Sequence, residues 1–143
     1  MLDPAAPDAS PPPALQPDPI RIARERSGRR AETIAMFWLV LKGYRILARR
    51  LKTPRGEIDI VARRGRRLAF VEVKYRDRRD AADASLTTQQ AARLHNAAEY
   101  YLSRHPRLAA YDRHFDAIFI LPRRRPLHLP DALQPVGTSG RRY

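Results

Sequence analysis

The sequence contains no cysteine, so neither a disulfide framework nor a thiolate-bound zinc or iron–sulfur centre can be built from it. It also lacks a long apolar run. The longest, IAMFWLVL at Ile34–Leu41, falls well short of the roughly 18 residues needed to cross a bilayer and suits a core helix. The N-terminus has no basic start, apolar stretch and small-residue cleavage site of the secretory kind. A soluble cytoplasmic protein without a membrane partner is the expectation. No Gly-rich phosphate loop and no Ser–His–Asp arrangement is present either. Lysine is scarce: of 28 basic residues only Lys42, Lys52 and Lys74 are lysine, against 25 arginines.

What the chain does have is positive charge and proline. Formal net charge is +13. Residues 20–121 hold 23 Arg and Lys against 11 Asp and Glu, a surplus of 12 outside the tails. Such a surplus is the electrostatic footprint of a partner with a phosphate backbone, and no amphipathic membrane helix competes for it. Genome-wide arginine preference is the alternative reading of the same count. Seven of the 13 prolines fall within the first 19 residues. That composition cannot bury enough apolar surface to offset chain entropy, so residues 1–19 read as a disordered Pro-rich tail. Residues 122–143, with RRRP and GTSGRRY, read as a basic tail with no fold of its own. One folded domain is expected between them, at 20–121.

Within that domain the patterns alternate. RRAETIAMFWLVLKGY (Arg29–Tyr44) places Ile34, Phe37, Trp38 and Leu41 at helical spacing, with Gly43 as its stop. YRILARR (Tyr44–Arg50) reads as a strand, TPRG (Thr53–Gly56) as a turn, and EIDIVARR (Glu57–Arg64) as a second strand. Gly65 connects it tightly to RLAFVEVKYR (Arg67–Arg76), making a hairpin. TTQQAARLHNAAEYYLSRH forms a second helix with Ala91, Leu94, Ala98 and Tyr101 inward and a Thr87–Gln90 capping box. HFDAIFILP closes the pattern as a fourth strand. The intervening helix is long enough for a right-handed crossover, which makes the third and fourth strands parallel. The fold class is α/β, a mixed sheet flanked by helices.

The hairpin carries the chemistry. Alternation puts Leu68, Phe70, Glu72 and Lys74 on one face, and a connection near Gly65 sets Asp59 opposite Phe70 or Glu72, on that same face. Ile58, Ile60 and Ala62 are then expected together on the other face. Charged groups in such a strand cost several kcal/mol unless paired, hydrated or bound to metal. One outcome is an ion pair bordering a hairpin. The other is a hard cation, Mg²⁺ or Mn²⁺, held by oxygen ligands alone. That cation would serve a water attacking a phosphodiester, with Lys74 as a compact charge on water or phosphate. Lysine at this position, in a chain that otherwise uses arginine, hints that an ammonium is wanted there.

GEIDIVARRGRRLAFVEVKYR (Gly56–Arg76) resembles the core of the small bacterial YraN-like family. Its members are assigned as endonucleases of the restriction-endonuclease-like, PD-(D/E)xK fold, near Holliday-junction resolvases. RRAETIA, KGYRILARR, AARLHNAAEYYL and FDAIFI continue the resemblance in the same order over about Arg29–Ile120. It implies that Asp59 is a metal-binding aspartate, that Glu72 and Lys74 are the ExK half of the motif, and that Glu32 is an extra acidic ligand from the first helix. By composition alone, Glu32 is a carboxylate in the first turn of a helix. Two departures stand out. Arg63, Arg64, Arg66 and Arg67 crowd the hairpin turn, where they could grip DNA or simply be solvated. Gln90 stands where the family often has Lys at the start of the second helix, so it either faces the substrate or only caps the helix.

The resulting expectation is a Mg²⁺- or Mn²⁺-dependent endonuclease acting on DNA, including branched or damaged DNA, with a homodimer compatible with two-strand cutting. The alternatives are a non-catalytic nucleic-acid-binding module on the same fold, and a scaffold that docks an acidic protein. His95, His105 and His114 lack metal-ligand spacing and are expected to be satisfied structural or surface residues, as is Asp116.

Overall fold

A computed structural model describes residues 18–76 and 86–135. The expected N-terminal tail up to residue 17 and the end of the basic tail from residue 136 lie outside these, as do residues 77–85. In chain order the elements are α1 (Pro19–Leu41), β1 (Arg45–Thr53), β2 (Gly56–Arg64), β3 (Arg67–Tyr75), α2 (Thr88–Arg104), a 3-10 turn (Pro106–Ala110), β4 (Asp112–Ile120) and β5 (Leu127–Leu129). The strands form one sheet in the order β1-β2-β3-β4-β5. All neighbours are antiparallel except β3 and β4, which run parallel across the α2 crossover. This is the mixed α/β architecture with flanking helices that the patterns and the resemblance both imply.

The two faces of the sheet bury separate cores. On one, α2 packs Leu94, Ala97, Ala98, Tyr101 and Leu102 against Val61, Leu68, Phe70, Phe115, Ala117 and Phe119. Thr87 accepts the Gln90 N–H at 3.1 Å while Gln90 Oε1 accepts the Thr87 N–H at 3.2 Å, so the expected capping box forms. On the other face α1 lies over Ile60, Ala62, Ala69, Val71, Ile118 and Ile120.

The face that α1 presents corrects the sequence reading. Its buried residues are Ala31, Ala35 and Leu39, whereas Ile34, Phe37, Val40 and Leu41 are exposed, Leu41 at 81%. Spacing of i, i+4, i+8 with two alanines lets the helix axis approach the sheet closely, which larger side chains would prevent. The helix also begins ten residues earlier than Arg29, with Asp18 accepting the Ile20 N–H at 2.9 Å and Pro19 in the first turn, both favourable starts.

The sheet continues past the expected end of the domain at Leu121. β5 pairs with β4, and Leu133 is buried in the α2-side core. His95 Nε2 meets the Leu133 carbonyl oxygen at 2.5 Å, and its ring packs edge-on against Phe115. His95 therefore has the structural role expected of it.

Candidate functional site

The site arises where β2 and β3 part. Their ladder runs from Arg64↔Arg67 to Ile60↔Val71 and stops. In the same register Asp59 would face Glu72. Instead the Asp59 Oδ2 accepts the Val73 N–H at 2.7 Å, so a side-chain carboxylate replaces the missing strand partner. Alternation breaks at the same point. Ile58 packs with the α2-side core and Ile60 with the α1-side core, so the expected shared face of these two isoleucines does not exist. The fork opens a cleft of about 500 Å³ lined by Arg55, Gly56, Glu57, Asp59, Glu72, Lys74, Gln90, Arg93 and Leu94.

Asp59, Glu72 and Lys74 thus meet in one cleft. Lys74 Nζ lies 3.0 Å from Glu72 Oε1, with both side chains about four-fifths buried. Asp59 has no such relief. Burial and then the Glu72 charge push its pKa up to about 7; the Val73 N–H and Lys74 pull it down, while Glu32 adds to the rise. An aspartate that reaches neutral pH half-protonated is a carboxylate short of positive charge.

Glu32 is held elsewhere: it pairs with Arg50 and does not line the cleft, although its charge reaches Asp59. Arg50 adopts a left-handed backbone, φ 47°, which is strained for a side chain of this kind. Gln90 both caps α2 and lines the cleft.

The four turn arginines are not gathered there. Arg67, the first residue of β3, is five residues from Glu72, about 17 Å at strand rise, and each of the four already has a protein partner. Arg63 donates to Tyr111 Oη at 2.9 Å, Arg64 to the Lys42 carbonyl at 3.1 Å, Arg66 to the Ala110 carbonyl at 3.0 Å, and Arg67 to Asp116 at 2.7 Å. The arginines that do line the cleft, Arg55 and Arg93, were missed in the sequence. The signal for Arg55 was its place in the TPRG turn beside the acidic strand. For Arg93 it was one helical turn beyond Gln90 on the same face.

The other buried aspartate, Asp116 on β4, is paired with Val71 and stands on the opposite, α1-covered face of the sheet. Asp116, fully buried, accepts from Arg67 at 2.7 Å and the Asp131 N–H at 2.9 Å through Oδ1, and meets His128 Nε2 at 2.8 Å through Oδ2. Burial pushes its pKa up, but the His128, Asp131 and Arg67 hydrogen bonds and the Arg67 charge more than offset that and hold it below the usual carboxylate value. The expected structural role of Asp116 is thereby accounted for.

Among the described residues no three His, Cys, Asp or Glu side chains converge closely enough to hold a metal ion between them. Three carboxylates line the cleft, Glu57, Asp59 and Glu72, and of these the Glu72 charge acts on Asp59. A hard cation such as Mg²⁺ commonly takes one or two carboxylates and completes its shell with water and substrate phosphate. The donor chemistry therefore fits, and the unrelieved Asp59 charge supplies a reason for a cation to enter. No described helix is long and apolar enough to cross a membrane.

Compared with known proteins, residues 31–120 match the model of a family described as uncharacterised protein family UPF0102. A UPF0102 protein of Parvibaculum lavamentivorans is 55% identical over 114 residues, covering 80% of this chain and 86% of its own length. One from Rhodopseudomonas palustris strain BisB5 is 52% identical over 120 residues, 84% of this chain and 92% of its own. Another from Methylorubrum extorquens is 47% identical over 125 residues, 87% of this chain and 98% of its own.

Proposed function

The chain belongs to uncharacterised protein family UPF0102, and on that premise we propose that it is a metal-dependent nuclease cutting phosphodiester bonds of DNA, branched or damaged DNA included. The observation that carries this reading is Asp59: a cleft-lining carboxylate placed by the β2–β3 fork and driven towards neutrality by burial and by Glu72. Asp59 and Glu72 are the residues that would hold Mg²⁺ or Mn²⁺. Bound there, such an ion would supply Lewis acidity at the phosphate.

The remaining work falls to the chain. Val73 orients Asp59 through its N–H, leaving the second carboxylate oxygen without a hydrogen-bond partner among the described residues. Lys74, held by Glu72, has further N–H donors for a non-bridging phosphate oxygen or the attacking water. Glu32 acts on Asp59 through its charge rather than as a direct ligand. The net charge of +13 supplies affinity that is largely independent of sequence and weakens steeply with salt.

The test is incubation with duplex, nicked and four-way-junction DNA in Mg²⁺, Mn²⁺ or EDTA, beside Asp59→Ala. Metal-dependent cleavage lost in the variant is the expected result, a fall of at least about 10²-fold. A second reading, a non-catalytic DNA-binding module, is favoured by the closed Glu72–Lys74 pair and by the lack of a third converging acidic ligand among the described residues. Tight binding without cleavage by either protein would replace the enzyme with the module.

A further inference from the structure

The cleft contains two guanidinium groups that the acidic motif does not use. We propose that Arg55 and Arg93 form a phosphate clamp that seats the substrate backbone against Asp59 and Glu72; this rests on the nuclease reading of the same cleft. Both residues line that cleft, both are exposed, and neither side chain has an ion-pair or hydrogen-bond partner among the described residues. That sets them apart from Arg63, Arg64, Arg66 and Arg67, whose guanidiniums are occupied at the other end of the hairpin.

The local fold holds the two arginines together. Thr53 Oγ1 donates to the Gly56 carbonyl at 2.6 Å and accepts the Arg55 N–H at 3.2 Å, which closes the turn around Arg55. Gly56 follows at φ +147°, and a Cβ there would stand 3.3 Å from the Arg93 carbonyl oxygen and 3.8 Å from the Arg93 Cβ. The missing side chain is what lets α2 press against the turn, so Arg93 and Arg55 are presented from two elements in direct contact. Neither guanidinium is held by a cleft carboxylate, and each keeps its planar fork of donors for an anion. The chemical class that satisfies two free guanidiniums beside two metal-seeking carboxylates is a phosphodiester chain. One phosphate meets the acidic pair, and its neighbours meet the arginines.

The test separates the clamp from the chemistry. Affinity for a 20-base-pair duplex with a central nick is measured in EDTA across a salt series, and cleavage is followed separately in Mg²⁺ and Mn²⁺. Arg55→Ala and Arg93→Ala are each expected to weaken binding about 10- to 100-fold and to lower the salt slope by about one contact. Arg93→Lys should recover part of the affinity, keeping the charge without the fork. Arg66→Ala, at the far turn, should leave the slope in place or reduce it less. Thermal melting of each variant identifies loss through misfolding, and Arg93→Lys keeps the question answerable if Arg93→Ala does not fold. Unchanged affinity and slope in Arg55→Ala and in a folded Arg93 variant would overturn the clamp even if the wild type cleaves. Clamp-dependent binding with no cleavage in either metal would overturn the nuclease reading and leave the clamp standing. A wild type that binds no DNA would remove both.

Discussion

Asp59 and Asp116 are both aspartates set into the same sheet, and the chain treats them oppositely. Asp116 meets a guanidinium, a backbone N–H and an imidazole, so its ionised form is stabilised in place. Asp59 meets one N–H and stands beside another carboxylate. A fully satisfied buried charge fixes the fold, because every partner loses if one moves. A half-satisfied one stores electrostatic free energy that a cation can release. The difference identifies which face of the sheet holds the protein together and which waits for a ligand.

The largest effect expected from breaking this contrast is at Asp116. Asp116→Ala strands Arg67 without its principal partner and releases the Asp131 N–H and His128, which anchor the segment beyond β4. Removing one member of a buried pair costs about 3–5 kcal/mol, to be read as a shifted urea midpoint. A loss below about 1 kcal/mol would mean that this network is ornamental. The pH sign follows from the lowered pKa. The stabilisation is present above the unfolded value and lost as pH falls through the folded one, so acid unfolding should be blunted in the variant.

At Asp59 the sign reverses. Asp59 binds its proton more tightly when folded, with a pKa raised from 3.8 to about 7. Between those values the folded state holds a proton that the unfolded state has lost, so stability falls as pH rises through this window and levels off above it. Asp59→Asn keeps an acceptor for Val73 and removes the charge. It should therefore abolish the fall and make the metal-free protein more stable at pH 8, by up to about 4 kcal/mol. Denaturation midpoints of both proteins across pH 4–8 check it. A wild-type profile that rises through the window would show Asp59 to be as well satisfied as Asp116.

Much of this contrast could be read in the residues, and some could not. The hairpin was legible because EIDIVARR and RLAFVEVKYR alternate on either side of Gly65, and its register sets Asp59 towards Glu72. The fork was not, because a carboxylate replacing a ladder partner leaves no mark on the period of two. The α1 face was misread because Phe37 and Leu41 outweigh Ala31 and Ala35 in any apolar count, whereas closeness to the sheet favours the small residues. β5 escaped notice because three residues of LHL give no periodicity. The turn arginines read from their density alone as either DNA-gripping or solvated. Nine-residue strands carry them to the far end, where Tyr111 and two backbone carbonyls occupy three of them, while Arg67 reaches back along the sheet to Asp116.

Glu72→Gln sharpens the comparison with a smaller effect. Removing the neighbouring charge takes away the second cause of the Asp59 rise, after burial, so the pH at which stability levels off should move down by about one unit. Lys74 loses an ionic partner at the same time, which offsets part of the gain, and the net change at pH 8 should stay within about 1 kcal/mol. A midpoint unmoved from the wild-type position would leave the rise to burial and Glu32.

The smallest effect lies at Arg50. Its guanidinium holds Glu32, and its left-handed backbone is a conformation that asparagine accepts more readily than most residues. Arg50→Asn therefore relieves backbone strain while leaving the Glu32 charge uncompensated. Because Glu32 already raises the Asp59 pKa, the levelling-off point should move up, by a fraction of a unit, opposite in direction to Glu72→Gln. The two variants form a matched pair: one subtracts a negative charge near Asp59, and the other removes the positive charge that restrains one. If both moved the profile the same way, packing changes rather than charge would control Asp59. An opposite response would show that the α1 carboxylate tunes the site across the sheet without entering the cleft.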